Sequence, residues 1–110
     1  MDAVDLLFRR LVLAARAAGA LERPVTVGEL LDQFAPYAAA RRDGGFDTHD
    51  DYLHAMMRLV SGERSLLFGD DLMQDDLKAE LQAAVPDLTV LRTYAHTKVR
   101  ISSAGVATVL

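Results

Sequence analysis

Val25-Thr26-Val27-Gly28-Glu29-Leu30-Leu31-Asp32-Gln33-Phe34-Ala35-Pro36 carries the clearest helix-start signal in the chain. Thr26 and Glu29 have capping-box spacing, in which the threonine hydroxyl and the glutamate carboxylate each satisfy a backbone N–H that a first helical turn leaves unpaired. Val25 and Leu30 stand at the positions of a hydrophobic staple across that start. A helix beginning near Val27 is predicted to bury Val27, Leu30, Leu31, Phe34 and Ala38. Pro36 lacks an amide donor and clashes with the preceding turn, which predicts a kink or restart near Ala35 before Arg41 and Arg42. Gly44 and Gly45 end the segment.

The same grammar extends in both directions. Upstream, residues 2–18 read as a helix with Asp2 and Asp5 in the first turn, where the helix dipole favours them, and Gly19 as a left-handed cap. Val4, Leu7, Phe8, Leu11, Ala14, Ala15 and Ala18 form its apolar stripe. Leu6 and Leu13, seven residues apart, fall on the opposite side, so this helix is either central in the domain or covered by a partner. Downstream, Thr48 and Asp51 start a helix carrying Tyr52, Leu53, Met56, Met57, Leu59 and Val60, with Gly62 as its stop. Asp71 with Gln74 is expected to cap another that buries Leu72, Met73, Leu77, Leu81 and Val85 and closes at Pro86. Asp87 would cap one further short turn through Leu91 and Tyr94.

Two segments read as β. Ser65 to Phe68 is a short candidate strand followed by a turn at Gly69, and residues 97–102 alternate polar and apolar with the period of a half-buried strand. Val106 to Leu110 is also β-prone. It could close a terminal hairpin, or Val99 could pair with Leu66 to Phe68 and leave the last residues frayed; the second version is favoured, because an isolated hairpin is marginal in water. The expected fold is mainly α: a compact bundle of four to five helices with a minor β element near 65–68 and 97–102. Residues 1–102 are expected to form one domain and 103–110 a tail.

The chain has 110 residues, 51% of them hydrophobic and 25% charged, too few for a second core and too apolar for disorder. The absence of cysteine excludes disulfide scaffolds, zinc ribbons and thiol chemistry. Without a span of about 20 apolar residues or a basic n-region at the start, the protein is expected to be cytoplasmic and free of the membrane. All 16 acids lie in residues 1–87 with nine bases, a net of −7, whereas residues 88–110 hold Arg92, Lys98 and Arg100 and no acid, a net of +3.

Candidate chemistry is sparse. Asp50 and His54 lie four apart on one helix face, but a catalytic metal site needs three protein ligands and a structural one four, so no metal or other cofactor is expected. No HExxH, G-x-S-x-G, Walker or dinucleotide pattern occurs. Asp70, Asp71, Asp75, Asp76 and Glu80 read as a solvated acidic face. A helix-turn-helix reading of the segments around 27–42 and 48–60 meets a long connection and a second helix that opens on Asp50 and Asp51, charges that would oppose a polyanion. The sequence therefore points to a non-enzymatic protein-interaction or regulatory module that forms a homodimer or docks on another protein, with Leu6 and Leu13 at the interface and no small-molecule substrate. The alternative is a small nucleic-acid-binding regulator using Arg92, Lys98 and Arg100, which a pI near 5.2 disfavours.

Overall fold

In the computed structural model, residues 2–110 are described. The capping box at Thr26 is formed in full: the Glu29 amide donates to Thr26 Oγ1 at 3.1 Å and the Thr26 amide to Glu29 Oε1 at 2.9 Å. Thr26 also ends a two-residue strand, β1 (Val25–Thr26), so the helix α2 (Val27–Glu29) starts directly from a sheet. The other two orphan donors of its first turn reach a distant segment, Val27 N–H to Thr97 C=O at 3.0 Å and Gly28 N–H to Ala95 C=O at 2.9 Å. Glycine suits this close approach, because a Cβ at position 28 would lie 3.0 Å from the Ala95 oxygen.

α2 runs into a wide π-helical turn (Leu30–Phe34) that ends at Ala35, and a new helix, α3 (Tyr37–Asp43), starts after Pro36. The interruption expected at the proline is thus present, and the buried Tyr52 hydroxyl caps it by donating to Ala35 C=O at 2.6 Å. Val27, Leu30, Leu31 and Phe34 are buried as expected. Ala38 is exposed instead, since the restart rotates the helix and turns Ala39 and Ala40 inward.

Among the described residues seven α-helices and one three-stranded antiparallel sheet make up the protein, which is 61% helical. The class is mainly α with a minor β element, as the periodicities indicate, with more helices than four to five. α1 (Ala3–Ala17) is capped by Asp2, which forms a reciprocal box with Asp5, and α4 (His49–Val60) by Thr48. α4 packs against α1 on one side and α5 (Asp71–Leu81) on another, burying Tyr52, Met56, Met57, Leu59 and Val60. The cap of α5 is Asp70, one residue earlier than expected, whose carboxylate accepts from Met73 N–H at 2.9 Å. Only Met73 and Leu77, four apart on one face, turn fully inward. Leu72, about 100° round the helix from Met73, is 80% exposed, and Val85, beyond the helix end, 87%. Leu81 closes the helix well before Pro86.

A 3₁₀ turn (Glu63–Ser65) follows α4, and Arg64 and Ser65 both adopt left-handed backbone, φ 56° and 55°, uncommon outside glycine. The Arg64 guanidinium holds this turn to the start of α1 through Asp2 at 3.0 Å and Asp5 at 2.7 Å. The turn delivers the chain to β2 (Leu67–Gly69), and after α5 and the short α6 (Val90–Thr93) comes β3 (Lys98–Ile101). Asp87 accepts from Thr89 N–H at 3.1 Å ahead of α6, near the expected cap, and Leu91 is buried. The strand order is β1-β3-β2, with Val25 opposite Val99 and Phe68 opposite Arg100. The strand around Val99 does pair with the 65–68 region, but through Ile101 opposite Leu67 and Arg100 opposite Phe68, while Val99 itself lies opposite Gly69; β1 is an additional strand that two residues could not signal. Gly69 lies inside β2 and not in a turn.

Residues 103–110 depart from expectation most. They form neither a hairpin strand nor a frayed end: Ser102 caps a helix, α7 (Ser103–Val109), by accepting from Gly105 N–H at 3.1 Å. The β-branched residues there are outvoted by tertiary packing, because Gly105 lets α7 lie directly on Phe8 of α1 and on Leu66. A Cβ at position 105 would come 2.8 Å from Phe8 Cζ and 3.0 Å from Leu66 Cδ2. Gly105→Val should therefore lower unfolding free energy by roughly 1–3 kcal/mol, as overpacking does. Ala104→Val, on the exposed side of the same helix, should stay within about 0.5 kcal/mol. Urea titration of both variants checks the pair.

Candidate interaction site

The second face of α1 is divided by its surroundings. Leu6 is half-buried against the core and lies under the Gly44-Gly45 connection, so close that a Cβ at Gly45 would sit 2.5 Å from Leu6 Cδ1. Leu13, one heptad on, is 39% exposed. α1 is therefore covered by its own chain over most of its circumference, and its open surface is a band around Leu13.

That band joins the end of α3. Arg10 grips Asp43 in a bidentate ion pair that spans the two helices, and a hollow of about 350 Å³ lined by Leu6, Arg9, Arg10, Leu13 and Asp43 opens beside it. The Arg10 guanidinium holds the Asp43 carboxyl below its ordinary value, and the fields of Arg42 and Arg9 push it further down. Asp43 is thus surrounded by three arginines. Arg9, Arg16, Arg41 and Arg42 are exposed and make no ion pair among the described residues. The corner is basic on a protein whose formal charge is −4.

This patch is invisible to a count along the chain, because Arg9-Arg10 and Arg41-Arg42 lie in the acidic part. Several of the acids that offset them in that count are engaged elsewhere. Asp2 and Asp5 face Arg64, with Arg58 at 3.7 Å from Asp2 and 2.8 Å from Glu63. The two arginine doublets were the available signal, but only the packing of α3 on α1 brings them together.

The counterpart of the corner is α5. Leu72 stands out from this helix with Asp75 and Asp76 three and four residues on, the spacing that shares a face, and Asp71 beside it. Asp70, Asp71, Asp75 and Asp76 make no ion pair among the described residues, although Asp76 accepts a short hydrogen bond from the Tyr94 hydroxyl.

The C-terminal cations separate. Arg92, on α6, is held by Asp32 through contacts of 3.1 and 2.9 Å, and this pairing lowers the Asp32 pKa. Lys98 and Arg100 share the outward face of β3 and have no carboxylate partner among the described residues. Asp50 and His54 are exposed, and among the described residues no three His, Cys, Asp or Glu side chains converge. Among the described residues no helix is long and apolar enough to cross a membrane.

No family model, no curated protein and no solved structure matches this chain.

Four carboxylates have depressed pKa values: Asp43 by Arg10, Asp32 by Arg92, Asp2 by the Asp5 backbone N–H, and Glu29 by the Thr26 backbone N–H. Their ordinary values are 3.8 for aspartate and 4.5 for glutamate, so the stability they contribute is complete above that range and is lost as pH falls through their lower folded values. Thermal midpoints should hold near neutrality and drop once pH passes below about 4.5. Asp43→Asn should lower the neutral-pH midpoint and make the acid limb shallower, which a melting series in pH would reveal.

Proposed function

We propose that this protein is a non-enzymatic interaction module that associates with copies of itself, the basic corner of α1 and α3 on one copy receiving the acidic outer face of α5 from another. The observation that carries this reading is the coexistence of two unpaired and complementary surfaces on one chain. One has unpaired arginines around a hollow beside Leu13. The other has three aspartates around Leu72, an apolar side chain left 80% in water. An exposed leucine ringed by one sign of charge, facing a shallow apolar floor ringed by the other, has the form of a small docking contact with an apolar centre and a charged rim.

The reading retains Leu13 as an interface residue and gives Leu6 a supporting position in the floor of the hollow. A symmetric contact of two α1 helices through Leu6 and Leu13 has less in its favour, since Arg9 and Arg16 of each copy would face those of the other. Joining corner to α5 is heterologous. It gives a two-fold dimer if both contacts form reciprocally between the same two chains and a longer head-to-tail assembly if they do not.

Sedimentation velocity at low and high salt tests this. Association should weaken with salt, because exposed charges are screened within about 10 Å at 0.1 M. Arg41→Glu with Arg42→Glu should weaken it about tenfold, and Asp71→Lys with Asp75→Lys by a similar factor, given up to about 1 kcal/mol per exposed pair. Mixing the two doubly reversed proteins should restore association. A native protein that stays monomeric at low salt, or an oligomer indifferent to both reversals, overturns the proposal.

A further inference from the structure

A second surface, on the sheet, has a different chemistry. β3 alternates buried Val99 and Ile101 with exposed Lys98 and Arg100, and β2 sets Phe68 directly opposite Arg100. Residues directly opposite in an antiparallel pair project on the same face, with Cβ atoms about 5 Å apart. Phe68 is 54% exposed, on a three-stranded sheet whose inner face is already closed by the core. Burying a phenylalanine fully contributes roughly 1.5–3 kcal/mol, part of which this side chain forgoes in the free protein. Shallow hollows flank the ring on both sides. One, about 310 Å³, is lined by Pro24, Phe68, Lys98 and Arg100. The other, about 380 Å³, is lined by Glu22, Arg23, Phe68, Arg100 and Ser103. Arg100 and Phe68 border both.

The cations there are largely free. Lys98 and Arg100 have no carboxylate partner among the described residues, and Arg23 donates to the Pro24 carbonyl at 3.1 Å and reaches a carboxylate only at 3.5 Å, that of Glu29, which is already engaged at Thr26. Glu22 is the one acid lining the two hollows, which leaves the face net positive.

We propose that this face binds a short stretch of single-stranded nucleic acid, with a base stacked on Phe68 and neighbouring phosphates held by Arg100, Lys98 and Arg23. The features decide among anionic partners. A duplex presents stacked bases that cannot reach an aromatic ring and would bring more phosphates against the acidic remainder of the protein. An acidic peptide would use the cations and leave the ring without a role. A single strand uses both, because every base has a π-face and each linkage a charge. The site involves β2, β3 and the segment before β1, and it does not depend on the self-association of the α1–α3 corner.

The experiment is fluorescence anisotropy of labelled oligothymidylate and oligouridylate with the full chain, alongside a labelled polyglutamate peptide of equal charge. The oligonucleotides should bind, with log K falling against log salt with a slope near −2, the value for about three phosphates on a single strand. Phe68→Ala should weaken binding about tenfold, within the range measured for base stacking, while Phe68→Trp retains it. Arg100→Ala and Lys98→Ala should each weaken binding and flatten the salt slope. Melting curves of these surface variants should match the native protein. No oligonucleotide binding at low salt overturns the proposal, as does polyglutamate binding equally well or Phe68→Ala leaving affinity unchanged.

Discussion

β3 is the strand on which the fold closes. β1 and β2 contain two and three residues, and each has β3 as its partner in the sheet. Segments so short have no stability apart from a partner, because the entropy of ordering them exceeds what one or two ladder bonds return. The residues just before β3 also supply the carbonyls of Ala95 and Thr97 that satisfy the first turn of α2, and those just after it tie Ser102 N–H to Leu66 C=O at 2.9 Å. One four-residue strand near the end of the chain thus secures the capping box near residue 26, the turn after α4 and the launch of α7. The amino-terminal half cannot complete its hydrogen bonding until residues 95–102 arrive, which makes folding cooperative over most of the chain.

Around that closure the charges are sorted by function. Acids at the start of α1 serve as caps and as partners of Arg58 and Arg64, so they stabilise a strained turn and are not free for recognition. Asp32 and Arg92 tie α6 to the π-helical turn. Among the charges left unpaired, arginines gather at the corner of α1 and α3, aspartates on the outer face of α5, and a small basic group around an exposed aromatic on the sheet. Each contains one exposed large apolar residue, Leu13, Leu72 or Phe68. An apolar side chain surrounded by uncompensated charge of one sign is poorly explained by folding energetics, which gain nothing from leaving it in water.

Much of the fold was legible residue by residue. The Thr26–Glu29 box, the break at Pro36, the Thr48 cap and the alternation at 98–101 are local patterns whose meaning depends on neighbours within four positions. Misreadings occurred where a local pattern competed with a distant contact. Val106 to Leu110 looks like a strand, but Gly105 allows a helix to lie on Phe8 and Leu66, and the Ser102 cap starts it. Asp71 reads as the cap of α5, but Asp70 holds that position, and Leu72 reads as core, but the face that packs runs through Met73 and Leu77, about a quarter-turn away. The candidate sites were less legible still. Leu6 and Leu13 share a helical face by periodicity, yet only the passage of Gly45 over Leu6 distinguishes them. Arg92, Lys98 and Arg100 are near neighbours along the chain, yet Asp32 takes the first and β3 presents the other two.

By itself, then, the sequence determined that this chain is mainly helical, where most helices begin, and which strand alternates, because caps, proline breaks and hydrophobic period act within one or two turns. Tertiary structure alone decided which charges remain unpaired and which apolar residues stay in water. Those are properties of surfaces assembled from segments far apart in the chain: α1 with α3 at Arg9, Arg10, Arg41 and Arg42, and β2 with β3 at Phe68 and Arg100. Whether a charge is neutralised or free depends on distances of a few ångströms between such segments, and no spacing along the sequence encodes them.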